Sequence, residues 1–308
     1  MPNSANAHVS GALTNVAMHY QSSEFVLSGA APAVQVPHKS LPYQIFTKED
    51  WFKNEAGVRG TSGHFPRVDF RLSSTTFNCL TKGLAVPVPD ETVDNADPSV
   101  QPEVNATILS TEGVMRKHEI DTATVLTGST WTAGSAVDAT GTEWNAADGG
   151  SIDANTETVI QAVHDSIGRN PNLGVMGWKV WRTVRKNPVL REFKAGGTGK
   201  LDRVIGMEDW IEFTGVPRWI IVPGIYASNA EGGTFTAAQI MTDSVWIGWV
   251  APSPSVLLPS ALYSFQFRNL MTKVYREEAA GQKVVETQKS YDVKATALDA
   301  GQLIQNVL

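Results

Sequence analysis

Two hydrophobic periods run through this chain, and the densest patterning lies between positions 152 and 193. Val159, Ile160, Val163 and Ile167 recur at three- and four-residue spacing, which puts them on one face of a helix while Glu157, Gln161 and Asp165 point away. Gly168 ends that helix. Asn170-Pro171-Asn172 is a turn signal, and residues 173–176 form a strand too short and too apolar to lie outside a packed layer. A second helix follows, with Trp178, Trp181 and Val184 as its buried stripe, Lys179, Arg182 and Lys186 as its wet side, and Pro188 as its stop. The pattern predicts a compact helix-strand-helix unit.

The period of two is clearest near the C-terminus. Val285, Thr287, Tyr291, Val293, Ala295 and Ala297 alternate with Glu286, Gln288, Ser290, Asp292, Lys294 and Thr296, a strand of about 13 residues with one covered face. Residues 271–277 pair with it through a turn at Gly281, and 302–307 follow after another turn. Upstream, Pro102 suits a first helical turn, and Val104, Ile108, Met115, Thr122 and Leu126 fall near one stripe, with Glu112, Arg116, Lys117 and Glu119 off it. A helix over about 102–126 would span roughly 35 Å and act as a strut beside the C-terminal sheet. Between these regions the sequence predicts a short helix over 207–214 closed by Gly215, and strands over 219–222 and 244–250. The segment 128–150 is rich in Gly, Thr and Ala, but Trp131 and Trp144 should pin it to the core.

The first 75 residues read differently. Residues 1–39 mix small and polar types without helical or strand period, which fits either an arm ordered against a partner or a frayed tail. Extended character at 40–46 and alternation at Val68, Phe70 and Leu72 flank a stretch punctuated by Gly57, Gly60 and Gly63. Lys48 to Lys53 could add one helical turn. Together 40–75 make a long hairpin of about 35 residues, far beyond the usual two- to five-residue hairpin loop, and such a projection needs something to lie on.

Composition narrows the functional classes. With 308 residues the chain can bury a large core and divides into two subdomains. A net charge of -6 without a basic stripe argues against a dedicated nucleic-acid binder, because phosphate affinity comes from clustered Lys and Arg. The lone Cys79 excludes an internal disulfide, fits a reducing compartment, and reads as a small buried hydrophobe. No apolar run approaches the roughly 20 residues a bilayer needs, and the polar N-terminus has no signal-peptide pattern, so a soluble intracellular protein is expected. The loop from Lys194 to Leu201 fails the phosphate-loop pattern at both of those positions and reads as a surface loop. The six histidines lack paired metal-ligand spacing and suggest surface or capping roles. Glu277-Glu278 reads as a solvated hairpin tip, and the cluster Lys179, Arg182, Arg185 and Lys186 as a solvated helix end. No catalytic residue, cofactor or metal is expected.

What is unusual is the set of parts without internal partners: an arm, a long hairpin, a strut helix beside a sheet, and an inserted compact unit. Their order resembles the major capsid proteins of tailed bacteriophages, the family with the HK97-type fold. Arg169-Asn-Pro-Asn-Leu-Gly-Val-Met-Gly-Trp-Lys-Val-Trp-Arg-Thr-Val-Arg-Lys-Asn-Pro188 is similar to that family's turn, strand and Asn-Pro-closed helix. Trp144-Asn-Ala-Ala-Asp-Gly-Gly-Ser-Ile-Asp153 and Tyr291-Asp-Val-Lys-Ala-Thr296 are similar to its flanking segments. The likeness spans roughly 40–308 and its motifs are structural.

The resemblance implies an α+β fold with an N-terminal arm (1–39) and an extended loop (40–75). It further implies a peripheral domain (76–150 and 270–308) with a spine helix, and an axial α/β domain (151–269). It implies self-assembly through pentamers and hexamers into an icosahedral shell around double-stranded DNA contacted non-specifically. Portal, scaffold and decoration proteins would be partners, with the virion as destination and the host bacterial cytoplasm as the place of synthesis. A long helical N-terminal scaffolding segment is missing, so a separate scaffold is implied. No lysine can be assigned to cross-linking, and Lys53 and Lys82 read as solvated charges. Trp51, Phe52 and Phe65 are the candidate docking residues of the loop, because aromatic anchors carry most interface energy. Two alternatives stay open: a cellular nanocompartment shell of the same fold, and an enzyme whose site no motif reveals.

Overall fold

The computed structural model describes residues 8–9, 11–19, 24–45, 56, 64–65, 73–96, 101–128, 130–195, 204–229, 233–255 and 258–308. In chain order the N-terminal elements are β1 (His8–Val9), α1 (Gly11–His19), β2 (Ala33–Gln35), β3 (Ser40–Ile45), β4 (Ser73–Asn78) and β5 (Leu80–Pro89). The middle holds α2 (Asp90–Asp94), α3 (Pro102–Gly128), β6 (Val137–Asp138), α4 (Ile152–Ile167), β7 (Leu173–Gly177), α5 (Trp178–Val184) and α6 (Pro188–Ala195). There follow α7 (Met207–Thr214), β8 (Trp219–Val222), β9 (Ile225–Ala227), β10 (Ala237–Gln239), β11 (Val245–Gly248), β12 (Leu262–Glu277), β13 (Gln282–Ala295) and β14 (Gly301–Gln305).

Two five-stranded sheets organise these elements. The first runs β1-β12-β13-β5, with β2 also paired to β12, and its backbone is the long antiparallel ribbon β12-β13, which the period of two predicted. The second runs β6-β14-β11-β7-β8. Its strands β7 and β11 are buried on both faces, as their unbroken apolar runs require. The two sheets draw their strands from separate parts of the chain. β14 leaves the ribbon to pair with β11, β6 joins it from upstream, and 262–269 belong to the first sheet.

The helix-strand-helix unit forms as predicted, with Gly168 in the left-handed region at φ 63° closing α4. Its second helix is corrected in detail. Val180 and Val184 are the buried pair of α5, whereas Trp178 is 46% exposed. Pro188 both ends α5 and opens α6, which the sequence pattern missed. Asn187 makes the junction: its Oδ1 accepts from the amides of Val189 (3.0 Å) and Leu190 (3.4 Å), and its Nδ2 donates to the carbonyls of Trp144 (3.0 Å) and Gly149 (2.8 Å). That places Trp144, fully buried, in the core of the second sheet, while Trp131 packs against Trp246, with ring centroids 5.4 Å apart.

The strut helix α3 forms, and Thr122 and Leu126 of its predicted stripe are buried, but the buried face also takes in polar residues outside that stripe. Thr107, Ser110, Thr111 and His118 are buried beside Ala106, Val114 and Ala123, Glu119 is buried against residues 26–27, and Leu109 is 56% exposed. Ser110 and Thr272 each hydrogen-bond the hydroxyl of Thr287, at 2.7 and 3.1 Å, and His118 Nε2 meets the Ser264 hydroxyl at 3.1 Å. Small hydroxyl side chains let helix and sheet approach closely while satisfying one another. Gly113, costly in a helix interior by about 1 kcal/mol, leaves the space Leu84 fills: a Cβ there would lie 2.6 Å from Leu84 Cδ2.

The N-terminal segment is also corrected. Far from lacking period throughout, it contains α1, and 24–36 packs on the chain's own body: Leu27, Ala30 and Ala31 are buried in the cluster that joins the two sheets.

Candidate assembly surface

The base of the long hairpin is built from aromatic packing. β3 and β4 pair antiparallel from Ser40 with Asn78 to Ile45 with Ser73, so the returning strand runs to 78, beyond the expected boundary at 75. Phe77 stacks on Phe265 with ring centroids 4.4 Å apart, and Tyr43 tilts against the same ring at 5.3 Å. Cys79 lies beneath them, buried as expected, its thiol donating to the carbonyl of Phe265 at 3.4 Å. The Asn78 amide donates to Asp292 Oδ2 at 2.8 Å, which fixes the hairpin to β13. Burial chiefly, with the Asp292 charge adding, pushes both the Tyr43 phenol and the Cys79 thiol up, so neither ionises near neutrality.

Of the candidate docking residues, Trp51 and Phe52 lie outside the described residues, as do the helical turn at 48–53 and the alternation at 68–72. Phe65 is described and is 64% exposed. Other large apolar side chains left at the surface are Leu80 and Leu84 on β5, Leu109 on α3, Trp178 with Arg182 5.7 Å from its ring, and Phe193. Strand β5 is a path end of the first sheet, and most of its residues are exposed.

Lys82 is not a freely solvated charge. It donates to Asp121 Oδ2 at 2.5 Å and lies 4.5 Å from the Tyr291 ring centroid. Tyr291 donates to the same oxygen at 2.7 Å, and Lys117 pairs with Asp121 Oδ1 at 3.0 Å. Burial works to raise the Asp121 carboxyl, but these three donors win and hold it below the usual range. Beside them burial pushes Lys289 down to about 8. His118, predicted to be a surface or capping residue, is instead in the core. Burial, helped by the charges of Lys289 and Lys82, takes it to about 3, so it is neutral and serves as a hydrogen-bonding wedge.

Glu119 is the residue sequence reasoning missed most clearly. It is 1% exposed, and one of its oxygens accepts the amides of Val26 and Leu27. A buried acid on a helix carries no sequence signal beyond its place in the stripe.

Among the described residues no group of three or more His, Cys, Asp or Glu could hold a metal, and no helix is long and apolar enough to cross a membrane. Glu278 sits at the β12-β13 tip, paired with Arg276 at 3.0 Å. Lys194, at the end of α6, pairs with Asp209, and the glycine-rich stretch after it lies outside the described residues.

No family model matches the chain. A protein named major capsid protein from Pseudomonas phage JBD67 is 24% identical over 189 residues, covering 61% of this chain and 60% of that relative. The chain thus spans less than two thirds of the curated relative it matches. Among solved structures, a phage-related protein from Bordetella bronchiseptica RB50 superposes with a TM-score of 0.77 at 19% identity, covering 97% of both chains. A subunit of the bacteriophage PhiM1 mature capsid gives 0.60 at 12%, covering 93% of this chain and 88% of that one. The SrpI encapsulin of Synechococcus elongatus PCC 7942 gives 0.54 at 10%, covering 94% and 90%. The fold is therefore the HK97-type α+β fold of phage capsid proteins. None of these relatives is named as an enzyme.

Proposed function

We propose that this chain is a major capsid (head) protein that closes, through pentamers and hexamers, into an icosahedral shell around double-stranded DNA. The observation that carries the reading is the superposition on a mature phage capsid subunit over 93% of the chain, joined to a sequence relative named major capsid protein. The chain's own geometry supports it. The base of the hairpin is rooted by Tyr43, Phe77 and Phe265, and a subunit that lays such a hairpin on its neighbours gains stability from many weak contacts held at high effective concentration. Trp51, Phe52 and Phe65 are the aromatic anchors assigned to that contact. With a net charge of -6 the wall would hold packaged DNA without gripping it. Portal, scaffold and decoration proteins would complete the particle, after synthesis in the host bacterial cytoplasm.

The likeness to an encapsulin favours one other reading, a cellular nanocompartment shell of the same fold. Electron microscopy of the overexpressed chain tests both. Hollow closed particles built from pentamers and hexamers are expected; a monomer at all concentrations, with or without scaffold, would overturn assembly as the function. Particles that capture a cargo peptide and no nucleic acid would move the assignment to the nanocompartment.

A further inference from the structure

The segment from 24 to 36 is fastened from two directions. Its single helical turn, Leu27–Gly29, begins with the amides of Val26 and Leu27, and both donate to Oε1 of Glu119, at 2.8 and 2.9 Å. At the other end of the turn, Arg218 Nη2 donates to the carbonyl of Gly29 at 2.9 Å. A side chain at Gly29 would displace that contact, since a Cβ there would lie 2.3 Å from Arg218 Nη2. Glu119 stands on α3, which covers the first sheet, and Arg218 directly precedes β8 of the second. The turn therefore bridges the two sheets, held by an acid at its amide end and a cation at its carbonyl end.

The residues that follow continue the bridge. The Ser264 amide donates to Pro32 at 3.0 Å, β2 pairs parallel with β12, and the Val36 amide donates to Gln266 at 2.9 Å. Leu27, Ala30 and Ala31 lie in a cluster that mixes Leu262, Tyr291 and Val293 of the first sheet with Val175, Trp246 and Leu303 of the second. A buried carboxylate is costly, and here burial outweighs the two amide bonds and pushes the Glu119 carboxyl up.

We infer that residues 24–36 are a strap between the two sheets, with Glu119 and Arg218 as its positioning residues, and that its docking fixes the angle between them. In the shell reading, on which this part rests, that angle sets how a subunit fits differently curved positions.

Two measurements separate the strap from that reading. Amide hydrogen exchange on the unassembled chain should show Val26 and Leu27 exchanging roughly tenfold to a hundredfold faster in Glu119→Ala, with α3 and both sheets still protected and Glu119→Gln restoring part of the protection. Unchanged exchange in the alanine variant would overturn the strap. If Glu119→Ala fails to fold, Arg218→Ala, altered at an exposed side chain, decides by faster exchange at Ala30 and Ala31. For particles, the loosened variant should give a broader range of diameters than the unaltered chain. Identical diameters despite fast exchange would overturn the curvature role, whereas an unaltered chain that builds no particles would count against the shell reading and leave the exchange result standing.

Discussion

The two sheets of this protein are covered in opposite ways. Over the second sheet the contacts are apolar: Val159, Val180, Val184, Trp210, Val245 and Ile247 share one core. Over the first sheet the long helix adds to its apolar contacts a seam of hydroxyls, a histidine and a charge: Ser110, Thr287, Thr272, His118, Ser264 and Asp121. An apolar layer tolerates small shifts, because dispersion and burial are non-directional. A hydrogen-bonded seam does not, because one sliding residue would leave buried donors and acceptors unpaired. The second sheet is thus held by bulk, the first by register, and a seam of small polar side chains is the cheaper one to open.

The comparison can be broken from either side. The largest effect is expected at Trp246, fully buried where the two cores meet: Trp246→Ala should lose about 3–5 kcal/mol and leave little folded protein, read by chemical denaturation. Acid should then find the seam. The His118 pKa is about 3 in the fold, below its ordinary 6.5, so the unfolded chain takes up the proton first. Its contribution is full above pH 6.5 and declines as pH falls toward 3, by up to about 1.4 kcal/mol per unit and on the order of 5 kcal/mol in all. His118→Gln should flatten this part of the stability-pH curve; an unchanged slope would show that the histidine is not buried neutral.

Smaller still, Ser110→Ala should cost about 1 kcal/mol by removing the shorter of the two hydroxyl contacts of Thr287, the one to Thr272 remaining. Adding Thr287→Val should recover part of that, a coupling that a double-mutant cycle reads and that two independent sites would not give. At the surface, Arg276→Gln removes a half-exposed pair with Asp90 and should change stability by less than about 1 kcal/mol. Deleting 47–66 should leave the melting temperature nearly unchanged, since the hairpin root stays, while closed particles disappear. A deletion variant that still builds shells would remove the loop from assembly.

The same contrast explains what could be read in advance. The second sheet was legible because its helices and strands announce themselves by apolar spacing, as Val159 and Val163 do, and the ribbon β12-β13 by its alternation. The first sheet's helix is legible as an element and only in part as a face: Thr122 and Leu126 of the apolar stripe are buried, whereas Thr107, Ser110, Thr111 and His118 are buried outside it. Glu119 was set on the wet side for the same reason. Periodicity weighs side chains by hydrophobicity, and a polar residue whose partner lies 146 positions away, as Ser264 does from His118, gives no local hint of being satisfied. Of the candidate docking residues Phe65 is at the surface, whereas Trp51 and Phe52 fall outside the described residues.

By itself the sequence determined the central helix-strand-helix unit, the stops at Gly168 and Gly215, the pinning of 128–150 by two tryptophans, and the long ribbon. Each of these depends on neighbours within about one helical turn or one strand. Tertiary structure alone decided that β14 crosses to the second sheet, that Thr107, Ser110, Thr111 and His118 are buried on the long helix, and that 24–36 straps the two sheets together. Those outcomes turn on long-range hydrogen bonds and on water excluded by distant segments, and no local pattern encodes either.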